Sequence, residues 1–93
     1  MKFEWDPAKA AINAQKHHIT FEEAESVFLD ADALCIPDPD HSAEEQRFIL
    51  LGFSRKARML VVCHCFRGND STIRIISARK ATRREAGQYG GER

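Results

Sequence analysis

Up to Asp30 the apolar residues recur at helical spacing; from Ala33 onward they bunch into short runs separated by turn residues. Phe3-Glu4-Trp5 reads as a short opening strand. Asp6-Pro7 comes next as a helix N-cap with proline in the first turn, where its missing N–H costs nothing. That helix carries Ala8, Ala11 and Ile12 on one side and is expected to end near Lys16-His17-His18. Thr20-Phe21-Glu22-Glu23 fits a capping box in which Thr20 and Glu23 bond reciprocally, with Ile19 and Ala24 as the flanking apolar staple. Phe21, Ala24, Val27 and Phe28 continue at helical spacing, which predicts that Glu22, Glu23 and Glu25 face solvent.

Ala33 to Ile36 is expected to be a strand, closed by the Pro37-Asp38-Pro39-Asp40 loop. Gln46 to Phe53 and Arg58 to Phe66 are joined through Ser54-Arg55-Lys56-Ala57, and Ser71 to Ser77 comes after the Gly68-Asn69-Asp70 turn; connections this short make neighbouring strands antiparallel. Met59 to Cys63 is apolar on both faces and is expected to be the central strand. Ile73 and Ile75 alternate with Arg74 and Ile76, as in a half-buried strand. Ser77 is placed to cap a last helix from about Ala78 to Tyr89, before a frayed Gly90-Gly91-Glu92-Arg93 tail. The expected fold is α+β, two N-terminal helices packed on a small antiparallel sheet of three to four strands with a C-terminal helix, in one domain over residues 1–93.

Composition bounds the class. With 43% apolar and 30% charged residues the chain is ordinary globular material. The opening residues hold no apolar stretch that could act as a secretory signal, and the run Met59 to Phe66 is too short to cross a bilayer, so a cytoplasmic location without membrane association is expected. Net charge is zero, yet residues 1–46 hold three basic and eleven acidic side chains while residues 47–93 hold eleven basic and three acidic. Such asymmetry points to a nucleic-acid or acidic partner, or to two halves that pair with each other.

Candidate chemistry is concentrated late in the chain. On the expected last helix Arg79 and Arg83 stand four apart, as do Lys80 and Arg84, making one side a cationic strip. The strip continues a strand that carries Arg74, with Arg67 and Arg47 on neighbouring strands, and such a face suits an RNA backbone, although a solvated helix face would look the same. His17 near the end of the first helix is a candidate proton-transfer residue or a favourable charge at a helix C-terminus; His41 and His64 have weaker claims. Cys63-His64-Cys65 is better read as packing than as a metal site, since a strand sends the cysteines and the histidine to opposite faces. No phosphate loop, metal-ligand motif or nucleophile elbow is present, and no cofactor is expected.

Phe3-Glu4-Trp5-Asp6, Asn13 with Lys16-His17, Phe21-Glu22-Glu23-Ala24 with Val27-Phe28 and Asp30, Glu45 with Arg47, Leu51-Gly52, Leu60-Val61-Val62, Arg67, and Ile73-Arg74-Ile75-Ile76-Ser77-Ala78-Arg79-Lys80-Ala81 together resemble the BrnT toxin family. His18 departs from the family, which usually has glycine there, as does Cys63-His64-Cys65, where an aromatic residue or threonine is commoner. The resemblance implies a RelE-like fold and a ribonuclease toxin of a type II toxin–antitoxin system that arrests translation and growth by cleaving RNA. It also implies an antitoxin with a ribbon-helix-helix DNA-binding domain, in a 2:2 complex, so that DNA is contacted only through the antitoxin. The chemistry expected of such an endoribonuclease is metal-independent attack of a 2′-hydroxyl on the adjacent phosphate, which needs a base, an acid and cations. On that reading Arg79 and Arg83, then Arg67, stabilise the phosphate, His17 or Tyr89 handles protons, and Lys16 supports; Arg47, Arg74, Lys80 and Arg84 bind the nucleic acid. The alternative is a non-catalytic module that docks nucleic acid or protein on the same basic face.

Overall fold

A computed structural model describes residues 1–39 and 46–90; Asp40, His41, Glu45 and the Gly91-Glu92-Arg93 end of the expected tail lie outside the described residues. The two N-terminal helices start where the sequence predicts. Asp6 caps α1 (Pro7–His17) by accepting the Ala8 N–H, and Thr20 caps α2 (Phe21–Ser26) by accepting the Glu23 N–H. A 3-10 turn, Val27–Leu29, continues α2. The helix α1 ends on His18, whose φ of 59° is left-handed, the conformation that favours glycine at a helix C-terminus. That need explains why a histidine here is a departure.

The strands are β1 (Lys2–Glu4), β2 (Leu34–Pro37), β3 (Arg47–Phe53), β4 (Met59–Arg67) and β5 (Thr72–Lys80), and they form one sheet in the order β1-β5-β4-β3-β2. The expected antiparallel sheet of three to four strands is therefore corrected to a mixed sheet of five. Pairing is antiparallel from β2 to β5, while β1 joins the edge of β5 in parallel, Phe3 opposite Ile73. Both helices and three strands intervene before the chain returns to β1, so no tight turn dictates the direction of that pair. As predicted, β4 lies at the centre.

The expected helix from Ala78 to Tyr89 is also corrected. Ser77 does not cap a helix; β5 runs on to Lys80, because Ala78 pairs with Val62 and Lys80 with Leu60. Tertiary pairing overrides the helix preference of an Ala-Arg-Lys-Ala run. The last helix, α3 (Arg83–Ala86), begins at Thr82, where Thr82 and Glu85 form the reciprocal capping box. Within β5 the register slips by one: Cys63 pairs with Ser77 and His64 with Ile75, leaving Ile76 as the extra residue of a β-bulge. Ile73 and Ile75 point into the core, and so does Ala78, three residues further on rather than two or four. Alternation is thus reset, and Arg79 emerges on the face away from the core.

The core lies between the helices and one face of the sheet, with Ile19, Phe21, Ala24 and Val27 against Leu50, Leu60, Val62, Ile73, Ile75 and Ala78. Glu23, expected to face solvent, is fully buried within it. Instead of completing the α2 capping box, its carboxylate accepts from Arg58 Nε at 2.9 Å and Ser54 Oγ at 2.6 Å and pairs with the Arg58 terminal nitrogen. Arg58 also donates to the His18 carbonyl. The Arg58 bond, against the penalty of burial and aided by Ser54, holds the Glu23 carboxyl below its ordinary range. His64 is buried among Phe28, Phe48 and Phe66, and burial pushes its pKa down despite the contact with the Val62 carbonyl.

Arg58→Ala is expected to cost about 3 kcal/mol, since it leaves an uncompensated carboxylate in the core. Urea unfolding measures this, and a loss under about 1 kcal/mol would show that Glu23 finds another partner. Acid should weaken the fold in two stages. His64 is neutral in the folded state and binds a proton more readily unfolded, so stability falls as pH drops below its ordinary value of 6.5. Glu23 has a lowered folded pKa, so its contribution is lost only as pH falls below the ordinary 4.5. Urea midpoints followed from neutral pH down past both values should show both stages in the parent and only the second in His64→Leu; an unchanged first stage in the variant rules His64 out.

Candidate active site

β1 pairs with β5 only as far as Arg74, so the backbone beyond it needs another partner on that edge. Asn13 of α1 provides one at Ala78. Its amide nitrogen donates to the Ala78 carbonyl at 2.8 Å and to the Ile19 carbonyl at 3.0 Å, and its amide oxygen accepts the Ala78 N–H at 3.1 Å. This lays α1 along the edge of β5. The His18 carbonyl at the end of α1 meets Arg58, and Ala81 N donates to the Met59 carbonyl at 2.9 Å, so α1 ends beside the end of β5. Lys16 and His17 are carried to the same place, His17 one helical turn beyond Asn13. Lys16 is exposed and His17 half-buried.

Arg79 and Lys80 close β5, and Arg83 and Arg84 stand exposed on α3 immediately after it. The two cationic ridges expected on one helix do not form, because Arg79 and Lys80 belong to the strand. Lys16 and His17 at the end of α1, Arg79 and Lys80 at the end of β5, and Arg83 and Arg84 on α3 nevertheless lie towards one end of the sheet, with Arg79 on the face opposite α1. Arg79 leans over the sheet face away from α1 and α2 and donates through both terminal nitrogens to the two oxygens of Glu85, at 2.8 Å each. Glu85 also accepts the Thr82 N–H at 2.8 Å. The Arg79 bond, opposed by burial and aided by Thr82, brings the Glu85 carboxyl down to about 2.

The remaining sequence-predicted residues lie further along the sheet or beyond α3, although Arg47 shares a concavity with Arg79. Arg47 and Arg74 both stand opposite Cys65, on β3 and β5, and Arg67 is exposed at the end of β4 opposite Thr72. From Val61, the partner of Arg79, to Arg67 is about 20 Å along the strand; Arg67 belongs to the far end of the sheet. Arg74 donates to Glu4 at 2.7 Å, which with Glu23–Arg58 joins the acidic and basic halves of the chain. The Tyr89 hydroxyl donates to the Asp30 carboxylate at 2.7 Å, and its ring packs on Phe53 with centroids 5.1 Å apart. Although burial works against the charge, the Phe53 N–H and the Tyr89 hydroxyl hold the Asp30 carboxyl below its usual range.

On the sheet face away from the helices lies a shallow concavity of about 360 Å³, lined by Arg47, Ile49, Val61, Cys63, Ile76 and Arg79 among others. A neighbouring one of about 330 Å³ includes Leu34, Ile36, Leu51, Arg79, Glu85 and Gln88. Cys63 and His64 do face opposite ways, Cys63 into the concavity and His64 into the aromatic cluster. Burial, with Asp38 nearby, pushes the Cys63 thiol up to about 11. Cys35 is exposed. Among the described residues no group of three or more His, Cys, Asp or Glu is placed to hold a metal ion, and no helix is long and apolar enough to cross a membrane.

Sequence reasoning missed two residues at this end of β5. Glu85 had a legible signal, since Thr82-Arg83-Arg84-Glu85 is itself a capping-box pattern. Asn13 stands among the residues that carry the family resemblance, but its place at the β5 edge had only a weak signal, a polar residue on the face of α1 that meets the sheet.

The fold is shared with a protein of known structure. The crystal structure of the Brucella abortus ribonuclease toxin BrnT superposes with a TM-score of 0.69 at 24% identity, covering 89% of this chain and 99% of that one, which establishes a common fold. No curated protein matches the chain. Residues 5–85, from Trp5 just after β1 to Glu85 on α3, match the family of the ribonuclease toxin BrnT of type II toxin–antitoxin systems, and the chain therefore belongs to that family.

Proposed function

We propose that this chain is an endoribonuclease that cleaves RNA by attack of a 2′-hydroxyl on the neighbouring phosphate, without a metal ion, at the end of β5. The observation that supports it is the placement of basic residues from the end of α1 (Lys16-His17), the end of β5 (Arg79-Lys80) and α3 (Arg83-Arg84) towards one end of the sheet. Attack of the 2′-oxygen forms its bond to phosphorus, loses its proton to a base, and expels the 5′-oxygen, which takes up a proton. The His17 imidazole can both accept and donate a proton, the chemistry these transfers need. Arg79 and Arg83 stabilise the charge that develops on the phosphoryl oxygens, with Lys16 supporting. Lys80 and Arg84 hold the adjoining backbone, and Arg74, Arg47 and Arg67 carry the strand across the sheet to its far end. Tyr89, tied to Asp30 over Phe53, holds the segment after α3 in place and is a second proton carrier close to that end.

Membership in a type II family supplies a protein antitoxin as partner. The finer reading is that this antitoxin carries a ribbon-helix-helix DNA-binding domain, neutralises the toxin by covering the basic end of β5, and assembles two copies of each chain. Such a complex meets DNA only through the antitoxin.

Purified protein freed of antitoxin should cleave total RNA equally with and without EDTA. His17→Ala is expected to slow cleavage about 100-fold or more, and Arg83→Ala about 100-fold. Their melting temperatures should stay near the parent's, since exposed or half-exposed substitutions of this kind change stability by about 0.5 kcal/mol or less. Activity lost to EDTA and restored by Mg²⁺ would remove the metal-free mechanism. Full activity in both variants would move the site away from β5, and no cleavage with or without ribosomes would favour a docking module. Light scattering of the co-expressed complex should give the mass of a 2:2 assembly, and its affinity should fall with added salt. A 1:1 mass or a salt-independent affinity would contradict the assembly or the electrostatic contact respectively.

A further inference from the structure

Arg79 stands at the end of β5 with its donors already engaged. Glu85 meets its guanidinium fork with two parallel bonds, the geometry with which arginine grips either a carboxylate or a phosphate. The pair is solvent-accessible, with 41% of the Arg79 side chain and 33% of the Glu85 side chain exposed, so a dissolved anion can reach it. The carboxylate sits on the first turn of α3, a helix of four residues with none buried. That helix is held by its capping box and, through the segment beyond it, by the Tyr89 bond to Asp30. Glu85 can therefore leave the fork without opening the core.

We propose that Glu85 is a resident stand-in for the substrate phosphate, and that RNA binds by displacing its carboxylate from Arg79. The inference rests on the reading of Arg79 as a phosphate-binding residue. Glu85 then sets the affinity of the seat: a ligand must present an anion that competes with an intramolecular carboxylate, which a single-stranded backbone does with several phosphates at once. Glu85 touches no reacting atom and acts only through Arg79.

Glu85→Gln is the informative substitution. Glutamine also serves in a capping box, so α3 keeps its start, while the charge opposite Arg79 is removed. Binding of a 2′-O-methyl RNA oligonucleotide, which lacks the attacking hydroxyl, is measured for the parent, Glu85→Gln, Arg79→Ala and the double variant. KM and kcat are measured in parallel on cleavable RNA, with melting curves to verify folding. An exposed ion pair is worth up to about a fivefold factor in an equilibrium constant. Glu85→Gln should therefore tighten oligonucleotide binding and lower KM about three- to fivefold with kcat unchanged, and the gain should vanish when Arg79 is alanine. Binding that is unchanged or weaker in Glu85→Gln, or a fall in kcat with KM constant, overturns the proposal and makes Glu85 a support for Arg79. Arg79→Ala binding like the parent overturns the seat itself, and the inference with it. The binding measurements stand whether or not cleavage is seen, so a failure of catalysis is told apart from a failure of the competition.

Discussion

The Asn13 amide on Ala78 decides where α1 lies and, through α1, what surrounds the end of β5. An edge strand has backbone donors and acceptors that must find partners when covered, and β1 is too short to supply them beyond Arg74. A single carboxamide, with one donor arm and one acceptor, imitates the missing rung. It also reaches the Ile19 carbonyl, tying the turn between α1 and α2 to the same point. Once this is set, the end of α1 meets Arg58, Arg58 meets Glu23, and the buried carboxylate holds the β3–β4 turn through Ser54. Polar contacts thus fix how the layers register, while apolar burial supplies most of the driving force.

Much of this architecture is legible in the chain, and the failures have identifiable physical causes. Asp6-Pro7 and Thr20 mark helix starts because capping is a local interaction, and Met59 to Cys63 announces a central strand because both of its faces are buried. Ala78 to Lys80 reads as helix because its local preference is helical, whereas its actual conformation is imposed by Leu60 to Val62 on one side and Asn13 on the other. The strand character of β1 is visible, but its parallel pairing with a segment at the opposite end of the chain has no local signature. Charge alone places Glu23 outside; its burial depends on Arg58, thirty-five positions away, and no spacing rule reveals such a partner.

The same distinction runs through the site. The identities of the basic residues near the end of β5 are visible in the sequence, yet the frame expected to carry them is not the one that forms. Arg79 and Arg83 do not share a helix ridge, Arg67 and Arg74 belong with the far half of the sheet, and Arg47 meets Arg79 only across a shared concavity. Glu85 escapes notice because a search for cations passes over the anion that neutralises one of them. Charge counted along a chain says how much of each sign exists, and only folding says which cations are already occupied.

The bulge at Ile76 means that β5 is written in two phases. Before it, odd-numbered residues enter the core; after it, even-numbered ones do, as Ile73, Ile75 and Ala78 record. The outward aim of Arg79 is therefore a matter of counting rather than of side-chain identity. If Ile76 took a rung of its own opposite Cys63, every later residue would move one rung along β4. Ala78 and Arg79 would then exchange faces, and the guanidinium would enter the layer under α1. Loss of Ile76 itself would leave those faces unchanged, since the residues on either side already stand on consecutive rungs. One residue more or fewer between Ser77 and Arg79 has no such shelter. A length change that most surface loops absorb without effect is, on that short stretch of strand, equivalent to turning that part of the sheet inside out.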